Sequence, residues 1–159
     1  MLLFCRSVLD ALLLAMQFGL VHGLRASHVG AGTCVGNISQ SEYNFLQDFY
    51  NATNGPNWRF LPRSGIRWVF PSPLSTPCRG SGRTAWVGIL CSPIVNASNQ
   101  IPCTISSLGL SGFALEGTIP GSIGVLTNLE MLDLSSNSLS RSLPPQLGLL
   151  RNLESLILR

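Results

Sequence analysis

The sequence predicts an α/β solenoid, a right-handed coil of repeats that follows a helical, disulfide-bonded cap at the N-terminus. Three observations support this fold class: a 24-residue internal repeat over residues 105–159, a helix start signal near residue 40, and four cysteines after a predicted export signal. The third repeat breaks off after residue 159, and a stable solenoid needs a cap at both ends. We therefore expect the chain to be truncated at its C-terminus.

Residues 1–23 have the order of a secretory signal peptide. Arg6 precedes an apolar stretch over residues 11–21, and a peptidase could cut near Gly23. A retained membrane anchor is the alternative, but Arg6 and Asp10 leave the apolar run too short to span a bilayer. We expect a protein that is secreted or lies on the extracellular face of the plasma membrane, with a membrane connection only through a segment beyond residue 159.

Cysteine and asparagine motifs agree with export. Removal of Cys5 with the signal leaves an even number of cysteines, suited to two disulfides, and the residues alone allow three pairings. A zinc site is the rival interpretation, but zinc-ligand spacing is absent, so no metal is predicted. The remaining cysteines are Cys34, Cys78, Cys91 and Cys103. The acceptors predicted for N-glycosylation are Asn37, Asn51 and Asn96.

Residues 24–104 are predicted to form the cap. Ser39 and Glu42 have the spacing of a capping box, and a regularly spaced apolar face follows, which predicts a helix over about 40–51. The helix should end before Pro56, with Gly55 accepting the left-handed backbone geometry of a helix end.

An irregular insert over about 55–85 is rich in Pro, Gly, Ser and Arg. No Asp or Glu occurs between residues 49 and 115. The arginines that lie among aromatic residues are Arg59, Arg63, Arg67, Arg79 and Arg83. Such a loop could hold an acidic polysaccharide by guanidinium contacts and ring stacking, whereas export argues against nucleic acid as a partner. We favour the alternative that the aromatic side chains cover the cap core and the arginines keep the loop soluble.

The repeats place apolar residues at matching positions of successive units. The units are 105–128, 129–152 and the partial 153–159. In each Leu-x-Leu pair the leucines should enter a shared core while the intervening residues point outward. Parallel strands stacked about 4.8 Å apart then close that core. Asn137 is expected to turn inward and hydrogen-bond neighbouring backbone, and Phe113 takes its place in the first unit.

No catalytic site and no cofactor are predicted. The histidines, His22 and His28, lie in the signal and in the first residues after it, so a nucleophile has no folded base. Glu130 and Glu154 occupy equivalent positions of adjacent repeats and could bind a cation or a proton. Nothing else converges on them, so solvated carboxylates are the simpler interpretation. A catalytic domain such as a kinase would have to lie beyond residue 159.

Taken together, the motifs resemble the plant-type leucine-rich-repeat proteins and their N-terminal cap, a family of receptor-like proteins and receptor-kinase ectodomains with protist and algal relatives. The resemblance covers nearly all of residues 34–159, although Arg141 stands where the family has glycine. The motifs that carry it are Leu115-Glu-Gly-Thr-Ile-Pro120, Leu132-Asp-Leu-Ser-Ser-Asn137, residues 45–58 and Trp86-Val-Gly-Ile-Leu-Cys91.

The resemblance implies a Cys78–Cys91 disulfide and, with it, a Cys34–Cys103 disulfide, which would seal the apolar end of the solenoid. It also implies an extracellular binding module that holds a protein or peptide ligand on the concave strand face. The alternative is a wall-associated inhibitor or polysaccharide-binding protein of the polygalacturonase-inhibitor type. The outward positions expected to bind are Ser107, Gly109, Ser111, Met131, Asp133, Ser135, Ser155, Ile157 and Arg159.

Overall fold

The computed structural model describes residues 37–60, 65–74, 77–78, 85–94, 102–140 and 142–159. All of these residues belong to one compact unit, Gly32–Arg159. The predicted signal peptide lies outside the described residues. So do Cys34, Arg63, Arg79, Arg83, Asn96 and Arg141. No helix among the described residues is long and apolar enough to cross a membrane.

Helix α1 (Gln40–Ala52) forms in the cap region and runs one residue further than predicted. The capping box is present: the Ser39 hydroxyl accepts from the Glu42 amide at 3.2 Å, and the Glu42 carboxylate accepts from the Ser39 amide at 2.9 Å. These bonds satisfy amide groups that the first turn of a helix leaves without partners. The buried apolar residues of α1 are Tyr43, Phe45, Leu46 and Phe49.

The helix end differs from the expectation for Gly55. Asn54, not Gly55, adopts the left-handed conformation, with φ of 60°. Asparagine tolerates this region better than most residues, because its short polar side chain can bond locally. Gly55 instead begins a short 3₁₀ helix, Gly55–Asn57, and a Cβ atom there would overlap the ring of Tyr50. Glycine is needed at this position for close packing.

Within the described ranges, six strands form two sheets. They are β1 (Ile89–Pro93), β2 (Cys103–Gly109), β3 (Glu116–Gly117), β4 (Met131–Asp133), β5 (Ser138–Leu139) and β6 (Ser155–Ile157). The larger sheet has the order β1-β2-β4-β6, in which β2, β4 and β6 are parallel, and Leu108, Leu132 and Leu156 lie side by side. The 24-residue period therefore places equivalent residues on neighbouring strands, as predicted.

Two features of the sheets were not predicted. Strand β1 pairs antiparallel with β2 and covers the edge of the sheet nearest the cap. Strands β3 and β5 form a small parallel sheet in the return segments of the two repeats. Each return segment continues into a 3₁₀ helix, Gly121–Val125 in the first repeat and Pro145–Leu149 in the second.

The core is continuous from the cap through the repeats. Leu110 and Leu134 are buried and stack through backbone bonds: the Leu110 amide donates to the Asp133 carbonyl, and the Leu134 amide donates to the Ile157 carbonyl. Leu158 is half-buried and packs against the same cluster. Burial decreases toward β6, where Leu156 is 46% exposed although its counterparts Leu108 and Leu132 are fully buried.

Candidate functional site

The candidate binding surface is the face of the larger sheet that points away from the core, called here the open face. Its strand residues form two rows that cross the sheet. One row is Ser107, Met131 and Ser155, and the next is Gly109, Asp133 and Ile157. Because side chains alternate along a strand, the buried leucine between each pair fixes these residues on the open face. The predicted positions on the three strands thus come together on one surface.

Three apolar side chains on the open face are exposed to solvent. Met131 is 45% exposed and Ile157 is 42% exposed. Leu90 of β1 lies directly opposite Ser107 and is 66% exposed, so it extends the first row by one strand. Sequence reasoning missed Leu90 because β1 was not predicted. These three side chains give the open face its apolar surface, and methionine is among the residue types that are enriched where proteins contact a partner.

Hydrogen bonds link polar side chains where the strands of the open face end. The Asp133 carboxylate accepts from the Ser135 amide at 3.0 Å and from the Ser135 hydroxyl at 2.6 Å. Since that hydroxyl already donates to Asp133, the Ser111 hydroxyl donates to it, over 2.8 Å. Arg159 is exposed, and its carbonyl accepts from the Ser136 amide. The hydrogen bonds among Asp133, Ser135 and Ser111 hold these polar groups in fixed orientations on the open face.

Asn137 supports the loops that leave the open face. The two N–H protons of its side chain are shared among the carbonyls of Leu110, Leu134 and Ser135, at 2.7, 2.9 and 3.0 Å, and its oxygen accepts from the Leu115 amide at 3.0 Å. This is the inward turn that the repeat pattern predicts. Phe113, at the equivalent position of the first repeat, is buried and fills the site without polar bonds.

Glu42 links the cap to the first strand of the repeats. The buried carboxylate accepts from the Ser39 amide and hydroxyl through Oε2, and from the Thr104 hydroxyl at 2.6 Å and the Ile105 amide at 3.0 Å through Oε1. Sequence reasoning gave this residue only its role in the capping box. Both oxygens are occupied by bonds within the protein, which is the environment of a structural carboxylate.

Cys78 and Cys91 form a disulfide, with their Cα atoms 5.6 Å apart. This is the pair that the family resemblance implies. Cys103 is also disulfide-bonded. The partner proposed for it, Cys34, lies outside the described residues.

The Arg and aromatic residues of the insert separate into two environments. Trp58, Trp68 and Trp86 are buried in the core, so their rings are not available to stack on a sugar. Arg59 and Arg67 are exposed, and the Arg67 guanidinium lies 4.8 Å from the centroid of the half-buried Phe60 ring. The tryptophans therefore cover the cap core, as the favoured interpretation expected.

The two equivalent glutamates are solvent-exposed. The backbones of Glu130 and Glu154 adjoin, since the Glu154 amide donates to the Glu130 carbonyl at 2.8 Å. No third ligand converges on them: in the described ranges, no group of three or more His, Cys, Asp or Glu residues could hold a metal ion. Asn37 and Asn51 are exposed at the two ends of α1.

Comparisons with solved structures show that this arrangement is similar to plant receptor ectodomains. No protein-family model matches the sequence, and a search of curated proteins finds no relative. The leucine-rich-repeat ectodomain of the receptor kinase SOBIR1 from Arabidopsis thaliana is similar in structure, with a TM-score of 0.55 and 26% identity over 78% of this chain. A structure of PEPR1–AtPEP1 gives a TM-score of 0.50 and 25% identity over 74% of this chain.

These matches define the class of fold. The chain has a leucine-rich-repeat fold similar to plant receptor ectodomains over most of its length. It spans 55% of the SOBIR1 chain and 15% of the PEPR1 chain.

Proposed function

We propose that this chain is an extracellular recognition module, the N-terminal part of a leucine-rich-repeat receptor-like or secreted recognition protein, without catalytic activity of its own. In this proposal the repeats form a right-handed α/β solenoid whose first turn is closed by the cap. The observation that carries the proposal is the open face, where parallel strands in register present Met131 and Ile157 beside serines. A surface of this kind recognises its partner by apolar contacts flanked by hydrogen bonds.

The ligand class that the open face favours is a peptide or a protein segment. Along the first row, the apolar side chains of Leu90 and Met131 alternate with Ser107 and Ser155, a spacing that suits side chains projecting from an extended chain. The PEPR1 structure, which contains AtPEP1, supports this class of ligand by analogy. Three strands offer less than the ~800 Å² per partner of a standard interface, so we expect weak binding to this chain alone.

The full chain, secreted from a eukaryotic host, can be tested by selection from a random-peptide phage library. Peptides that bind the open face should lose at least about fivefold in affinity for Met131→Glu and Ile157→Glu, since both changes put a carboxylate into an apolar contact. Val125→Glu is the matched control, because Val125 is 39% exposed but lies in the 3₁₀ helix of the return segment. Selected peptides that bind all three variants equally would argue against the open face as the site.

Export and its modifications form the second part of the proposal. Residues 1–23 would be removed as the signal, Asn37, Asn51 and Asn96 would carry N-glycans, and Cys34 would pair with Cys103. The disulfide between Cys78 and Cys91 supports an oxidising compartment. N-terminal sequencing and peptide mass mapping of the secreted protein measure all three features. A retained N-terminus or a reduced Cys34 would contradict the corresponding part.

The acidic-polysaccharide alternative has narrower support. Among the described residues it rests on Arg59 and Arg67, which are exposed, since the neighbouring tryptophans are buried. Retention on an immobilised polygalacturonate column tests it against an Arg59→Ser, Arg67→Ser double variant. Unchanged retention of the double variant would show that Arg59 and Arg67 do not bind the polysaccharide.

A further inference from the structure

We propose that the groove beside the last turns of α1 holds the innermost sugar of an N-glycan carried by Asn51. The groove has a volume of about 480 Å³, within the ~300–1,000 Å³ range of small-ligand sites. Its lining residues are Gln47, Tyr50, Asn51, Trp68, Val69 and Phe70. This inference concerns a surface separate from the open face, and it depends on the proposed export but not on ligand recognition.

The acceptor is itself part of the groove wall. Asn51 is exposed in the last turn of α1, and the sequon continues through Ala52 to Thr53. A sugar linked to the Asn51 amide therefore starts at the wall of the groove. The covalent link raises the effective concentration of the sugar at the groove to the millimolar range of short tethers, enough to populate contacts too weak to bind free sugar.

The lining offers both kinds of contact that N-acetylglucosamine makes. Val69 is 60% exposed although it is apolar, and the rings of Tyr50 and Phe70 are half-buried, so the C–H face of a pyranose ring would cover apolar surface here. Within the described part of the chain, no hydrogen bond engages the Gln47 side-chain amide or the Tyr50 hydroxyl. Both groups are free to bond the acetamide and hydroxyl groups of the sugar.

The aromatic wall of the groove is held rigidly. The Tyr50 ring lies 5.2 Å from Trp58 and 5.6 Å from Phe70, centroid to centroid, and packs directly over Gly55. A wall that is fixed before the sugar arrives loses little conformational entropy on contact, which favours a defined position for the sugar.

Burial of Thr53 requires that Asn51 be glycosylated before the protein folds. Thr53 is 0% exposed, and its hydroxyl donates to the Phe49 carbonyl at 2.6 Å. A transferase that must read this hydroxyl cannot do so in the folded protein. The sugar is therefore attached while the chain enters the secretory pathway, before α1 packs, and the groove closes around a glycan that is already present.

A double-mutant cycle tests the contact. The full chain is secreted from a glycosylating host as wild type, Asn51→Gln, Val69→Ser and the double variant, and each Tm is measured by circular dichroism. We expect the Asn51 glycan to raise Tm by about 2–4 °C in the wild type and by less than half as much with Val69→Ser. Asn37→Gln is the matched control, since removing that glycan should change Tm equally in both Val69 backgrounds.

NMR of the ¹³C-labelled glycan gives an independent readout. The acetamide methyl resonance of the Asn51-linked sugar should lie upfield of its Asn37 counterpart because of the Tyr50 and Phe70 rings. Additive Tm effects together with coincident methyl resonances would overturn the proposal, and so would mass spectra that find Asn51 unmodified in the secreted protein. Neither substitution touches the open face, so this result and the peptide-selection result can fail independently.

Discussion

Glu42 and Asn137 each satisfy several groups that folding removes from water. Glu42 accepts four hydrogen bonds at the junction of cap and sheet, and Asn137 makes four where the second strand leaves the open face. Leaving a buried donor or acceptor without a partner costs more than an average hydrogen bond contributes. Single substitutions at these two residues should therefore be far more damaging than changes at exposed polar positions.

Asn137→Ala should lower the free energy of unfolding by about 2–3 kcal/mol, because the Leu115 amide and the Leu110 and Leu134 carbonyls lose their partner. Urea denaturation followed by circular dichroism measures the change. Asn152→Ala is the control: Asn152 is exposed and donates one bond, to the Thr127 carbonyl, so its loss should cost under about 1 kcal/mol. Equal effects of the two substitutions would contradict the role given to Asn137.

Glu42→Gln should lower the free energy of unfolding by about 1.5–3 kcal/mol, since one carboxylate oxygen becomes an amide that faces donors. Glu116→Gln provides the comparison, because Glu116 is exposed and accepts from Asn54, and it should change stability by no more than about 0.5 kcal/mol. The same urea titration serves for both. A Glu42→Gln protein as stable as the wild type would contradict this prediction and show that the glutamine amide satisfies the same donors.

The hydrogen-bonding roles of Asn137 and Glu42 differ in how far the sequence predicts them. Asn137 follows a repeat whose period places it beside the preceding loop, so its inward turn could be predicted. The second role of Glu42 could not, because Thr104 and Ile105 lie 62 and 63 residues away along the chain. No local pattern identifies a partner at that distance.

At the scale of elements, the end of α1 and the small sheet depend on one another. The carbonyls of Ala52 and Thr53, which the helix leaves without partners, accept from the amides of Thr118 and Glu116. Gly117 lies between these donors with φ of +113°, and a Cβ atom there would overlap the Ala52 carbonyl. The first return segment therefore caps the helix, and it requires glycine to come close enough.

Gly117→Ala should lower the free energy of unfolding by at least about 2 kcal/mol, from backbone strain and from displacement of β3. Gly109→Ala is the matched control, since no atom lies within 4 Å of a Cβ placed there and its φ is not positive. Thermal denaturation of the two variants checks the difference. A tolerated alanine at residue 117 would mean that the helix end does not need this contact.

Loss of the Cys78–Cys91 disulfide should lower the free energy of unfolding by about 3 kcal/mol. The two cysteines are 13 residues apart, and a loop of about that length gives this value in the chain-entropy model. A Cys78→Ala, Cys91→Ala variant measured in urea tests the figure, with tryptophan fluorescence as the probe because Trp86 lies within the loop. A change below about 1 kcal/mol would show that core packing alone orders this loop.

The elements that could be predicted are those with a strong period of their own. Helix α1 has a capping box and an apolar face, and β2, β4 and β6 follow the repeat. Strands β3 and β5 have two residues each, too few to produce an alternation. Strand β1 ends at Pro93 and pairs antiparallel with residues 10 to 19 positions away, a pairing set by packing rather than by pattern.

For the molecule as a whole, the two edges of the larger sheet differ in how far they are covered by other residues. The cap side ends in β1 and the aromatic core, whereas β6 is paired on one side only within the described residues. Large apolar side chains are exposed near that edge: Leu143, Leu149 and Leu156 are 52, 53 and 46% exposed. An unpaired strand beside exposed leucines is a site for association.

This chain should therefore self-associate through the β6 edge as its concentration rises, and a Leu149→Lys, Leu156→Lys variant should remain monomeric because charge opposes edge pairing. Sedimentation velocity over a concentration series measures both. Val69→Lys, at an apolar position outside the sheet that is 60% exposed, should not change the association. A wild-type chain that stays monomeric at every concentration would contradict this expectation.

The register of the parallel strands has a consequence for how such a protein changes length over evolutionary time. Ser107, Met131 and Ser155 occupy equivalent positions on neighbouring strands. Duplicating or deleting one complete 24-residue unit therefore moves every later residue to the equivalent position of the adjacent repeat. The antiparallel course of β1 prevents the same step on the cap side. Growth by gene duplication is thus directional, and the open face can widen while the disulfide-bonded start of the chain is inherited unchanged.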